Sequence, residues 1–212
     1  MTTILLAMRA NASLISATGA GQIVAANANV GYKADFFNSP NNGLKIYAWN
    51  ERQNMTLPAN FKVDIASMGS YQAPFASANA TMPKTMNVNS HYIYFDPKNS
   101  KSASATFTFD TPIVAIILSS GSNAANDHLL ASDWLIPGTV PSANIPTSHF
   151  NARGVEFGPE KVKWLSANTI DLNLTASSPG DQIRVLTSAV PEPSTVFAIA
   201  SGLAFMIKRK KK

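Results

Sequence analysis

Along the middle of the chain, apolar residues recur at every second position in short runs bounded by Gly, Pro, Asn and Ser. Period two is the spacing of a half-buried β-strand, whose side chains point alternately to opposite faces. In residues 43–49, Leu44, Ile46 and Ala48 alternate with Lys45 and Tyr47. In residues 61–65, Phe61, Val63 and Ile65 alternate with Lys62 and Asp64. Phe107 and Phe109 share a face opposite Thr106 and Thr108, Ile170, Leu172 and Leu174 form another apolar face, and so do Ile183 and Val185. Residues 112–118 are apolar on both faces, which predicts a central strand covered on both sides.

The runs lie about ten residues apart with turn signals between them, the spacing of an all-β domain. "SPNNG", "DPKN" and "SSPGD" are such signals. The pattern predicts an antiparallel two-sheet sandwich, jelly-roll-like, over residues 29–188. Trp49, Trp134 and Trp164 lie in or beside predicted strands and are read as core. Residues 119–126 and 137–146 read as surface loops, the second Pro-rich and the better candidate for recognition.

Both ends depart from the strand pattern. Residues 1–28 read as a signal peptide or its remnant, with apolar patches on either side of Arg9 and a small-residue cleavage pattern at Ala26-Asn27-Ala28. An Ala-rich first strand or a disordered tail is the alternative for this segment. Residues 189–212 join Pro191-Glu192-Pro193 to an uncharged run and a block of cations. The run is Val196, Phe197, Ala198, Ile199, Ala200, Ser201, Gly202, Leu203, Ala204, Phe205, Met206 and Ile207; the block is Lys208, Arg209, Lys210, Lys211 and Lys212. As a helix, the run extended by Ser194 and Thr195 covers ~20 Å at 1.5 Å per residue, short of a ~30 Å hydrocarbon core. It reads as a single transmembrane helix of marginal length, with the cations on the cytoplasmic side and the body outside. A plain tail anchor or an amphipathic end is the alternative.

A segment too short for a permanent anchor suits a transient handle. The triplet, the apolar helix and the terminal basic cluster, in that order, resemble the PEP-CTERM sorting signal. That resemblance covers residues 190–212 and implies processing by exosortase, a membrane-embedded enzyme thought to cut at or near the triplet. The basic tail is mainly Lys where the family favours Arg, and the apolar run is short. More loosely, "SHYIYFDP" (residues 90–97), "LLASDWL" (129–135) and "ASSPGDQIRVLT" (176–187) resemble the mature domains of cyanobacterial PEP-CTERM proteins.

Charge sharpens the picture. The chain holds 17 Lys and Arg against 12 Asp and Glu, for a formal net charge of +5. That excess is the terminal basic cluster alone, so the body is neutral and lacks the footprint of a nucleic-acid binder. There is no cysteine, which excludes disulfides, thiolate nucleophiles and Cys-ligated zinc. The three histidines, His91, His128 and His149, fall in no metal-binding or nucleophile motif, and His91 reads as a hydrogen-bonded structural residue. Glu156 and Glu160 flank a turn and read as solvated acids. Asp96, Asp127, Asp133 and the loop around residues 123–126 hold oxygen ligands for calcium, but acids at strand ends usually cap turns.

No catalytic residues, metal ligands or cofactor are assigned. The expectation is a non-enzymatic, exported surface or extracellular-matrix protein. Its partners are exosortase, the membrane during sorting and an extracellular polysaccharide, with no nucleic acid. Tyr71, Phe75, Tyr92 and Tyr94 are the aromatic candidates for carbohydrate contact. A secreted carbohydrate-active enzyme with the same signal is the alternative, and would need two carboxylates facing one cleft.

Overall fold

The computed structural model describes residues 13–25, 44–72, 80–97, 99–121, 126–139, 147–148, 153–155, 159–177 and 180–189. The first strands are β1 (Leu14–Gly19), β2 (Gly21–Ile23), β3 (Ile46–Asn50), β4 (Met55–Thr56) and β5 (Phe61–Val63). They are followed by β6 (Gly69–Gln72), β7 (Ala80–Met82), β8 (Asn87–Phe95), β9 (Lys101–Phe109) and β10 (Ile113–Ile117). A single helical turn, α1 (His128–Ala131), and a 3-10 turn at Asp133–Leu135 come next. β11 (Lys161–Ser166), β12 (Thr169–Ala176) and β13 (Asp181–Ser188) complete the described chain.

Two sheets carry the all-β fold. The first has the order β1-β9-β12-β11-β6; the second has β10-β13-β8-β3-β2, with β4 also on β8. Pairing is antiparallel except between β2 and β3, which run parallel. The core between the sheets takes Phe107, Phe109, Ile170, Leu172 and Leu174 from the first and Ile46, Ile93, Phe95, Ile183 and Val185 from the second. All but Ile93 and Phe95 are residues that the period-two pattern turns inward.

The two sheets differ in what covers their other face. Strands β9 and β12 alternate buried with wetter positions, as expected of a sheet with one solvated side. Strands β8 and β13 are buried at nearly every position. Their outer face lies under a second apolar cluster built from Leu57, Phe61, Val63, Met82, Leu129 and Leu135. The two-stranded β5-β7 sheet, Leu57 just past β4, and the segment of α1 and the 3-10 turn supply those side chains.

Past the exposed Pro112, the run at residues 112–118 is buried on both faces, but its strand stands at the end of the second sheet's order rather than at the centre. Ile113 and Ile116 face the inter-sheet core, whereas Ala115 and Ile117 face the second cluster. The edge is closed by a bridge in which Ile65 and Ile116 exchange backbone hydrogen bonds of 2.8 and 3.1 Å. Double burial therefore reflects two apolar layers, not a strand on each side.

Residues 14–23, assigned by the sequence pattern to an export segment, lie within the sandwich. β1 pairs with β9 and β2 with β3, so the chain crosses from one sheet to the other through Ala20 alone. Gly19 makes the corner at φ 67°, where a Cβ would meet Ser104 O at 2.6 Å. A side chain is strained there on both counts. Gly180, at φ 72°, plays the same part in the turn into β13, against Phe95 and Asp96. Among the described residues no helix is long and apolar enough to cross a membrane; residues 190–212 lie outside them.

A chain beginning at residue 29 lacks β1 and β2 and leaves β9 as an uncovered edge. Its thermal midpoint is expected several degrees below that of the full chain, with faster aggregation on heating, as checked by paired calorimetric scans. Equal midpoints would show that the first two strands add nothing to stability.

Candidate functional site

The outer face of the second sheet holds a group of ionised side chains withdrawn from water. Arg184 projects from β13 and is wholly buried, because α1 and the 3-10 turn close over it. Its Nε and one terminal nitrogen donate to the two oxygens of Glu51, at 2.7 and 2.9 Å. The other terminal nitrogen donates to Leu129 O at 3.2 Å and to the Ser132 hydroxyl. The Tyr92 ring lies beneath the guanidinium at 5.0 Å. Arg153 grips both oxygens of Asp133 at 2.7 Å and donates to Tyr92 Oη and to Gln182. Arg184 also reaches Asp133, at 3.3 Å.

Two guanidiniums thus face two carboxylates, with Tyr92 between the cations. Burial works against the charge on each arginine, but the carboxylates beside it outweigh that cost and raise both guanidiniums above their ordinary range. Burial also pushes the Tyr92 phenol up, so it stays neutral. The whole assembly is satisfied internally, as a buried polar network must be. It clamps the 127–136 segment to the sheet.

Beside the clamp stands a second polar element. Asp64, just past β5, is 2% exposed. One of its oxygens accepts from the amides of Leu118 and Ser119 at 2.8 and 2.9 Å, and the other faces His128 Nδ1 at 2.7 Å. Burial pulls its carboxyl upward, yet the His128 contact and the two amides prevail and hold it below the usual carboxylate value. An ionised carboxylate only accepts, so Nδ1 must be the donor. His128 is itself 1% exposed, and its Nε2 is buried with no hydrogen-bond partner.

His128 forms part of the wall of a concavity of about 390 Å³. Phe61 and Trp134 stand in that wall edge to face, 6.1 Å apart at 85°. Asn60, Lys62 and Ala131 stand at its rim, with Pro58 and Ala59 beside them. Asn60 is oriented by Lys84 N, which donates to its Oδ1 at 3.0 Å. An apolar hollow of this size with a few fixed polar groups has the make-up of a small-ligand site. Comparison with protein-family models, with curated proteins and with solved structures returns no match.

The residues singled out from the sequence scatter. Trp49 and Trp164 are core; Trp134 is only partly buried and stands in the pocket wall. Tyr92 and Tyr94, expected at an exposed aromatic face, are fully buried, because Trp49 and Ile136, just past the 3-10 turn, pack on them. Tyr71 is half-buried on β6 and far in the topology from the pocket, at the end of the first sheet. Glu160, expected to be solvated, is fully buried and accepts from Thr175 N at 3.0 Å. Asp127 caps α1 through Leu130 N, and Asp133 is held by the arginines. Asp96 accepts from the Tyr94 hydroxyl at 3.1 Å. Phe75, His149, Glu156, residues 122–125 and the sorting motif with its helix and basic tail lie outside the described residues.

His91 sits between the sheets against Phe109, with Asn50 at 2.8 Å from one ring nitrogen and Thr187 at 3.0 Å from the other. Sequence reasoning missed Glu51, Asp64, Arg153 and Arg184. Period two makes Asp64 and Arg184 outward-facing, and only the covering segments turn that outward face into interior. The one hint was "LLASDWL", whose apolar residues have no strand of their own to join.

Replacing Arg184 by Met leaves Glu51 buried without its main partner and is expected to cost about 3–5 kcal/mol in chemical denaturation. Adding Glu51→Leu is expected to recover part of that loss; a double variant as unstable as the sum of the singles would show that the pair is not coupled.

Burial lowers the His91 pKa to about 3, well below its unfolded value. A lowered pKa makes the unfolded state bind more protons, so the contribution is complete above about pH 6.5 and is lost as pH falls toward 3. Stability curves of the wild type and His91→Gln are expected to converge as pH falls through that window. Parallel curves would show that His91 does not titrate on unfolding.

Proposed function

We propose that the protein is an exported, non-enzymatic surface or extracellular-matrix component, sorted through a PEP-CTERM signal at residues 190–212 and processed by exosortase. The observation that carries this reading is the order of Pro191-Glu192-Pro193, an uncharged run of marginal length and a terminal cation cluster behind a neutral body. The helix inserts long enough for processing, the cations hold its end on the cytoplasmic side, and cleavage near the triplet frees the body outside. The body then acts by binding, with an extracellular polysaccharide as its partner.

Two features of the folded body favour binding over catalysis. The ionised groups of the outer face, Arg153, Arg184, Glu51 and Asp133, are consumed by one another in bidentate pairs. The Asp64–His128 pair has the base and orienter of a nucleophilic relay, but the described wall of its pocket offers no hydroxyl or thiol for the base to activate. A neutral surface also suits a matrix component, which must not be drawn to every charged polymer around it.

Protein recovered from the surface of cells with a working exosortase is expected to end near residues 190–193 and to lack the basic cluster. Intact-mass spectrometry of the C-terminal peptide checks this. Recovery of the full-length chain would favour the plain tail anchor.

A further inference from the structure

Six buried side-chain atoms among the described residues have no hydrogen-bond partner, and of the residues that bear them His128 is the one that lines the pocket beside the clamp. Neighbouring buried charges are satisfied several times over, Arg184 alone donating to Glu51, Leu129 O, Ser132 and Asp133. An unmet buried polar atom costs on the order of 1–3 kcal/mol, and a ligand in the pocket that supplied a partner to His128 would recover that cost.

We propose that the pocket lined by His128, Trp134 and Asn60 binds a neutral saccharide unit, with a sugar hydroxyl on His128 Nε2 and the apolar face of the ring against Trp134. This deepens, and rests on, the reading of the body as a polysaccharide-binding module. Asp64 accepts the hydrogen bond from Nδ1–H, so Nε2 accepts when the imidazole is neutral and donates when it is charged. A hydroxyl is both donor and acceptor and satisfies either form. Phe61 holds the Trp134 ring edge to face and fixes its orientation. Asn60, its carbonyl already engaged by Lys84 N, has its amide N–H groups to offer a second hydroxyl. A carboxylate ligand would find Lys62 at the rim but would bring its charge toward the ionised Asp64 behind His128, which disfavours an acidic sugar.

The test is a titration of the full chain with cello-, manno- and galacto-oligosaccharides, and with uronic-acid oligosaccharides for comparison. It is followed by tryptophan emission and by the 15N signals of the His128 ring, assigned from the His128→Gln spectrum. At least one neutral series is expected to shift the Nε2 signal and change the emission. Trp134→Ala and Asn60→Ala are each expected to weaken that binding at least tenfold while leaving the thermal midpoint within a few degrees of wild type.

Three results would overturn the proposal: no shift of the Nε2 signal with any neutral series at millimolar concentration, binding that both variants leave unchanged, or tighter binding of the uronic-acid series. The titration needs neither export nor processing. Its failure therefore leaves the sorting reading standing, and an unprocessed C-terminus leaves the titration standing.

Discussion

A guanidinium with no access to water sets the terms for the rest of this structure. Arg184 lies on a strand whose other face is the main core, so its own face had to be either solvent or a second interior. It became interior because the segment bearing Leu129 and Leu135 folds over it, and that segment can do so only if the charge is met. Glu51 meets it from past the end of β3, Ser132 and Leu129 O from the covering segment, and Asp133 shares itself with Arg153. Desolvating such charges costs several kcal/mol per ion, and that cost is offset only when every donor has a partner. The clamp is therefore a specificity device as much as a stabilising one, since a misplaced covering segment would strand buried charges.

The pocket depends on that clamp. Trp134 lies between Asp133 and Leu135, one gripped by arginine and the other sunk in the second cluster, so its ring is held from both sides. His128 opens α1 and is held from beneath by Asp64, which also ties the chain after β10 through two amides. The rim on the opposite side comes from β5 and the residues before it. The turn facing it carries Thr85 at φ 72°, a costly conformation for a β-branched residue. A pocket assembled from a short helix and a strand end is precise only where each piece is anchored below the surface. Here the anchors are polar.

Two strands of the first sheet, β9 and β12, were legible from the chain itself. Phe107 and Phe109, and Ile170, Leu172 and Leu174, alternate with polar residues that remain at or near the surface, so period two and burial agree. For β13 the inward residues Ile183 and Val185 were equally plain, but the outward Arg184, and Tyr92 and Tyr94 on β8, were not. An outward polar residue has the same sequence signature whether water or protein lies beyond it. The same ambiguity hid Asp64 and Glu160, and it placed Tyr92 and Tyr94 on an exposed face that does not exist.

What the sequence determined by itself is local and periodic. Alternation defined β3, β5, β9, β12 and β13 and the face each buries, turn residues marked several strand ends, and the charge distribution separated a neutral body from a basic tail. The tripartite tail is likewise a property of order along the chain, and its reading needs no fold. Tertiary structure alone decided which outward faces are covered, that residues 112–118 close a sheet edge rather than fill its centre, and that residues 14–23 belong to the sandwich. It also brought Asp64 against His128 across 64 residues and Glu51 against Arg184 across 133. The physical reason is that periodicity reports the two faces of an element, whereas layering and charge pairing depend on distant segments that no local pattern encodes.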